Sequence, residues 1–463
     1  MSNKVITTVN PATDEKLAEY AGLDSAALDA TLAAAADAQK AWKLTSLTER
    51  STKLRALADI LRNEVEAHAT LISNEMGKPI TEARGEVLKC ALACDYYADN
   101  LEEFLAPKPV KTEAVTSYVT YEPIGVVLAI MPWNFPYWQV IRFAAPTLGA
   151  GNGGLLKHAS NVTGSAIAIQ SAIERAGFPK HLFTSLVLTE HSMVNDIIAD
   201  KRVAAVTLTG SEGAGASVAE AAGRALKKTV LELGGSDPFV ILEDADIKAV
   251  TPFAVKARFI NTGQSCLCAK RFLVDGKVIN EFEAGLKEQV AALKIGSPLD
   301  PTTQIGPLAK KSFVDDIDKQ VQDSIKMGAR LVTGGHRIEG PGNYYAPTVL
   351  ADVTPDMPVF NQETFGPVLA LVKAEDTADA IRLADLSQYG LAASIWTADM
   401  KKGLELGKGI NSGALFVNGV VASDPRLPFG GVKLSGYGRE LSIEGLHEFT
   451  NVRAIWAGNH PTA

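Results

Sequence analysis

From Ile124 onward, short apolar runs alternate with helical stretches, and this rhythm limits the folds open to the chain more than any other feature. Strand-like runs at 124–131, 154–157, 183–188, 203–209 and 230–233 are separated by helical patterns at 137–149, 163–176, just before Val203, and 214–227. Strands joined through helices pair in parallel, so the spacing predicts an α/β sheet covered by helices on both faces. A second alternating series begins near Phe239 and runs to about Gly436, with strand candidates at 240–242, 272–274, 368–373, 393–396 and 415–418. At 463 residues the chain has room for about three domains.

Two segments belong to neither series: a β-rich run at 114–121 and an extended closing stretch at 446–456. The first hundred residues read as helices. There Ser46-x-x-Glu49 forms a capping-box pattern ahead of Leu54, Leu57, Leu61 and Val65 at helical spacing. The composition, 46% hydrophobic and 21% charged, is that of an ordinary globular chain. Charges interrupt the apolar runs before they reach membrane-spanning length, and the N-terminus lacks a hydrophobic signal core. The net charge of −8 argues against a nucleic-acid partner. Four cysteines in so long a chain make no secreted disulfide framework, so a reducing cytoplasm is expected. Cys90 and Cys94 share a helix face and read as packing. The seven histidines show no ligand spacing, and no metal is expected.

Chemistry concentrates in two stretches, Gly263-Gln264-Ser265-Cys266-Leu267-Cys268 and Leu231-Glu232-Leu233-Gly234-Gly235. Taken singly, each has an ordinary reading: a buried cysteine is a small hydrophobe, and a glutamate before two glycines is a solvated turn residue. Taken together, a sulfur nucleophile and a separate carboxylate suit a two-step covalent reaction on a carbonyl. A third motif, Pro132-Trp133-Asn134-Phe135-Pro136, strengthens the pair.

These three motifs, followed by Glu363-x-Phe365-Gly366-Pro367 and Pro428-Phe429-Gly430-Gly431 in that order, resemble the aldehyde dehydrogenase superfamily over essentially the whole chain. The resemblance implies a Rossmann-type parallel-sheet cofactor domain (residues 1–107 and 124–232), a second α/β catalytic domain (233–436) and a small β oligomerisation arm (108–123 and 444–458). The arm would pair with a partner subunit in a homo-oligomer, dimer or tetramer. Cys266 is then the nucleophile, giving a thiohemiacetal and a thioester. Asn134 and the Cys266 amide form the oxyanion hole, and Glu232 activates the hydrolytic water. A non-redox thiol esterase and a non-catalytic protein on the same fold are the competing classes.

Gly149-Ala150-Gly151-Asn152-Gly153-Gly154 fits the dinucleotide pattern as a string, but it follows a helix and precedes a strand, the reverse of what the motif requires. The better phosphate cradle is Thr209 to Gly215, which follows a strand and opens a helix. Gly210, Ser211 and Gly215 match the family's pyrophosphate turn. The family places Lys157 on the adenosine ribose, and the position three later separates the two nicotinamide cofactors. Ser160 there carries no charge to repel a 2′-phosphate, so NADP is favoured over NAD. Glu363 matches the residue on the nicotinamide ribose, and Trp133, Asn134, Leu233 and Phe365 are the remaining cofactor contacts expected.

For the aldehyde itself, Arg142, Ser423 and Trp138 resemble substrate contacts of the succinate-semialdehyde dehydrogenase branch. Cys268, two residues after Cys266, resembles its regulatory disulfide partner. Other aldehydes stay open, because the branch's second carboxylate-binding arginine is Ile260 here. Arg258 and Arg426 are candidate substitutes that do not match its position.

Overall fold

Val126–Met131, apolar and largely buried, is an inner strand of a six-stranded sheet. Gly153–His158 and Val203–Thr209 flank it in parallel, Phe183–Ser185 lies outside the former, and Lys228–Glu232 lies outside the latter. This computed structural model describes residues 4–190 and 192–458. The sixth strand was not expected from the sequence: Gly436–Tyr437 turns back to pair antiparallel with Lys228–Glu232. Gly436 sits directly opposite Glu232.

The second series builds a seven-stranded sheet in the order Arg330–Thr333, Thr348–Ala351, Val368–Ala374, Ala269–Asp275, Asp237–Ile241, Ala392–Trp396 and Ala414–Val417. All neighbours are parallel except the first pair. The first two strands, only four residues each, are too short to stand out in sequence.

Two expectations need correction. The first hundred residues are helical only from Ser25; before that, Val5–Val9 and Lys16–Ala21 form a hairpin. Its β-branched run Val5-Ile6-Thr7-Thr8-Val9 favours a strand, and the Asn10 side chain accepts the Ala12 amide at 2.9 Å to turn the chain. The closing stretch likewise starts as a helix, Ser442–Glu448, whose Leu446 is buried in the core; the strand is Thr450–Ala457. That strand pairs with Thr116–Pro123, which pairs with Lys108–Pro109, making the three-stranded antiparallel arm. The Ser46 hydroxyl caps Leu47–Asn63 by accepting the Glu49 amide, and Leu54, Leu57 and Leu61 are fully buried below it. The 149–154 glycines do end one helix and begin a strand.

Helix Ile80–Phe104 crosses the molecule against helix Trp138–Gly149. Its inner face is mostly apolar, with Ala83, Val87, Cys90, Ala91 and Cys94 buried. Glu82, Glu86 and Lys89 share that face at helical spacing, and each reaches the site described next.

Candidate active site

Cys266 lies in the loop before strand Ala269–Asp275, facing a cavity of about 600 Å³. The backbone leading to it is unusual: Asn261, Thr262 and Gly263 are consecutively left-handed, with φ of 52°, 56° and 74°. For Asn and Thr this costs on the order of 1–3 kcal/mol each unless the surroundings hold it. Asn261 is held: its Nδ2 donates to the carbonyls of Asn134 (2.8 Å) and Gln264 (2.9 Å), and its amide donates to Glu82 Oε2 at 2.6 Å. Gly263 admits no side chain, because a Cβ there would stand 2.2 Å from the Gly366 carbonyl oxygen. From below, buried Lys270 donates to the carbonyls of Ser265 (3.1 Å) and Cys266 (2.9 Å) and pairs with Glu363 at 3.2 Å. Burial pushes the Cys266 thiol up to about 12, against the opposing pull of Lys270, so the resting sulfur is protonated.

Asn134 is fixed from both ends of its amide. Gln139 Nε2 donates to its Oδ1 at 3.0 Å, and its Nδ2 donates to the Gln264 carbonyl at 3.1 Å, leaving the second Nδ2 hydrogen for an oxyanion. Trp133, Asn134, Cys266 and Leu233 line the cavity with Gly210 and Ser211. Glu363 and Phe365 close its other wall. Trp133 meets the Phe365 ring edge-on at 5.7 Å.

The residues expected to hold a nicotinamide cofactor fit one. Ser211 caps helix Glu212–Arg224, whose first-turn amides have no intrahelical acceptors and face the Gly210–Ser211 wall. Gly215 lies under Leu233 so closely that a Cβ would meet its Cδ2 at 2.6 Å. A side chain at Gly234 would strike Glu363 at 2.9 Å. Lys157 and Ser160 line a second, smaller cavity of about 190 Å³; burial first, and then Lys310, lower the proton affinity of Lys157.

Glu232 ends its strand but does not line the main cavity. Its carboxylate is buried without a hydrogen-bond partner, against the open Cα of Gly430. Burial and then Glu440 raise its pKa well above the usual carboxylate range, while Arg142 and Arg439 pull the other way.

Arg142 is not a helix-surface charge. It is 3% exposed, ion-paired through Nε with Glu440, hydrogen-bonded to Thr209 Oγ1 at 3.2 Å, and stacked on Phe429. Trp138 and Ser423 do meet, the indole Nε1 donating to Ser423 Oγ at 3.1 Å. The side chain that joins them is Lys89, which donates to Ser423 Oγ at 2.7 Å and lies 4.2 Å from the Trp138 ring centre. Neither substitute arginine is placed for a substrate: Arg258 is fully buried on the carbonyls of Thr364 and Gly366, and Arg426 is exposed and paired with Asp424 at 2.6 Å. Ile260 borders a different open cavity beside Glu82 and Phe259. Cys268 is buried, a free thiol donating to the Ile260 carbonyl at 3.6 Å.

Sequence reasoning passed over Lys89, Glu82, Glu86, Gln139, Lys270 and Glu440. The available signal was three charged residues on the apolar face of one helix, where unpaired charge is costly. Glu86 accepts the amides of Tyr137 (2.8 Å) and Trp138 (3.0 Å), anchoring the start of the helix Trp138–Gly149.

A parallel sheet whose helix N-terminus opens on the same cavity as a cysteine and an amide donor defines a nucleotide-dependent, cysteine-based enzyme fold. The aldehyde dehydrogenase family profile matches residues 1–455, and the chain belongs to that family. A probable NADP(+) succinate-semialdehyde dehydrogenase of Synechocystis sp. is 48% identical over 451 residues, covering 97% of this chain and 99% of its own. The NADP(+) succinate-semialdehyde dehydrogenase of Mycobacterium avium is 46% identical over 458 residues, covering 98% and 97%. The crystal structure of succinic semialdehyde dehydrogenase from Streptococcus pyogenes, in complex with NADP+, superposes with a TM-score of 0.96 at 40% identity, covering 98% of this chain and 100% of that one.

Proposed function

We propose that this enzyme oxidises succinate semialdehyde to succinate with NADP as the favoured acceptor and NAD as the weaker alternative. The observation that carries the reading is the shared cavity: Cys266 and Asn134 stand on the same space as Gly210, Ser211 and Glu363. That arrangement supports a redox reaction over a plain thiol esterase, which has no use for a helix-terminus anion cradle. The activities of these relatives support the substrate and the cofactor.

In this reading the Cys266 thiol gives its proton to solvent as Sγ bonds to the aldehyde carbon, and the carbonyl oxygen becomes an oxyanion between Asn134 Nδ2 and the Cys266 amide. A bound nicotinamide cofactor supplies the hydride acceptor. Gly210, Ser211 and the first turn of helix Glu212–Arg224 would hold its pyrophosphate, and Glu363, Trp133, Leu233 and Phe365 would contact the rest of it. Lys157 and Ser160 leave room and no negative side-chain charge of their own for a 2′-phosphate. The acyl group left on sulfur is then hydrolysed, with Glu232 taking a proton from water. Burial holds its proton affinity above the usual carboxylate range, and reaching the cavity requires the side chain to turn away from Gly430.

The test is steady-state kinetics with succinate semialdehyde and with butanal, an uncharged aldehyde of equal length, each with NADP and NAD. Higher kcat/KM for the acid, and for NADP, is expected. No cofactor reduction with either aldehyde returns the protein to the esterase class.

A further inference from the structure

Lys270, the second residue of the strand Ala269–Asp275, is 1% exposed. An ammonium drawn so far from water is unfavourable unless its donors find partners. It has three, and each is met: by the Ser265 carbonyl at 3.1 Å, the Cys266 carbonyl at 2.9 Å and Glu363 Oε1 at 3.2 Å. The Ser265 carbonyl and the Cys266 amide are the two ends of one planar peptide group. A donor that fixes and polarises the carbonyl therefore also orients the N–H at the opposite end and makes it a stronger donor. The Ser265 oxygen accepts the Cys268 amide as well, at 3.2 Å, so both of its lone pairs are engaged. The Cys266 amide itself donates to no group among the described residues. Packing behind the loop is close: a Cβ on Gly235 would stand 2.7 Å from the Cys266 carbonyl oxygen, and the Gly235 amide donates to the same Glu363 Oε1 at 3.0 Å.

Resting on the proposed chemistry, in which the Cys266 amide and Asn134 hold the oxyanion, we propose that Lys270 is the positioning residue of the oxyanion hole. It acts from outside the cavity, which it does not line, by orienting the Ser265–Cys266 peptide and strengthening the Cys266 N–H. Because the same ammonium holds Glu363, the carboxylate on the other wall of the cavity is tied to the peptide that meets the oxyanion. Burial raises the proton affinity of the Cys266 thiol and Lys270 opposes that rise, so an effect on the peptide has to be separated from an effect on the sulfur.

Two reagents make that separation without any cofactor. Iodoacetamide alkylates Cys266 by displacing iodide at a saturated carbon, with no oxyanion on the way. p-Nitrophenyl acetate acylates it. Sγ bonds to the ester carbon as the thiol proton passes to solvent, the carbonyl oxygen carries the charge, and collapse of the adduct expels p-nitrophenolate and leaves a thioester. Both rates are measured on the full chain in the wild type, Lys270→Met and Asn134→Ala, with Cys266→Ala as the blank and acylation followed as the p-nitrophenolate burst. Lys270→Met should lower the ratio of acylation to alkylation about tenfold, less than the loss of a whole donor, because the Cys268 amide still holds the Ser265 carbonyl. Asn134→Ala should lower the same ratio by about a hundredfold or more. Since Lys270→Met leaves Glu363 without its cation, the double variant Lys270→Met, Glu363→Gln removes both charges together and should show the same fall. An unchanged ratio in either folded Lys270 variant, even where both rates drop equally, would overturn the assignment. An unchanged ratio in Asn134→Ala would instead overturn the oxyanion reading itself, and the inference with it.

Discussion

At the scale of single residues, the catalytic assignments make separable predictions. Cys266→Ala should abolish dehydrogenase turnover, since the other three cysteines are buried away from the cavity. Glu232→Gln should still transfer hydride and then stall, giving a burst of about one reduced cofactor per site in stopped-flow absorbance; undiminished steady-state turnover would remove Glu232 from hydrolysis. Ser160→Glu should lower the NADP-to-NAD preference by about tenfold or more, as like charges meet at the ribose. Cys268 is the proposed redox partner of Cys266, and pairing requires its thiol to leave the Ile260 carbonyl. Mild peroxide followed by dithiothreitol should restore the wild type but not Cys268→Ala, whose lone thiol over-oxidises; equal recovery would make Cys268 a packing residue.

At the scale of elements, the helix Ile80–Phe104 organises the site. Glu82 steadies the strained turn at Asn261, Glu86 anchors the amides of Tyr137 and Trp138, and Lys89 reaches Ser423. Glu86 is itself buried against Lys78. Removing one partner of such a pair leaves an uncompensated charge, typically at a cost of about 3–5 kcal/mol. Glu86→Leu should therefore lower the thermal midpoint markedly, and Lys78→Met in the same chain should recover part of the loss; additive losses would show that the pair is not coupled. The helix itself was legible from its apolar spacing. The work of its three charged residues was not, because their partners lie far away in sequence, at Asn261, Tyr137 and Ser423.

At the scale of the whole molecule, the strand Thr450–Ala457 is an edge of the three-stranded arm, with Val452 61% exposed. Open edges of this kind attract further strands, and the arm is the proposed oligomerisation element. Sedimentation equilibrium should find a dimer or tetramer at micromolar concentration, and removal of residues 450–458 should shift it to smaller species; an unchanged assembly would place the interface elsewhere.

The alternating β and α segments and the parallel pairing they impose were determined by the sequence alone, and the cysteine, the amide and the glycine turn proposed for the chemistry were picked out there too, because each rests on residues close together in the chain. The hairpin before Ser25 and the strand Gly436–Tyr437 beside Glu232 emerged only in three dimensions. So did the pairing of Arg142: its charge stands out in the sequence, but its partner Glu440 lies about three hundred residues away. Which groups pack against a buried charge is decided by tertiary contacts rather than by any local pattern.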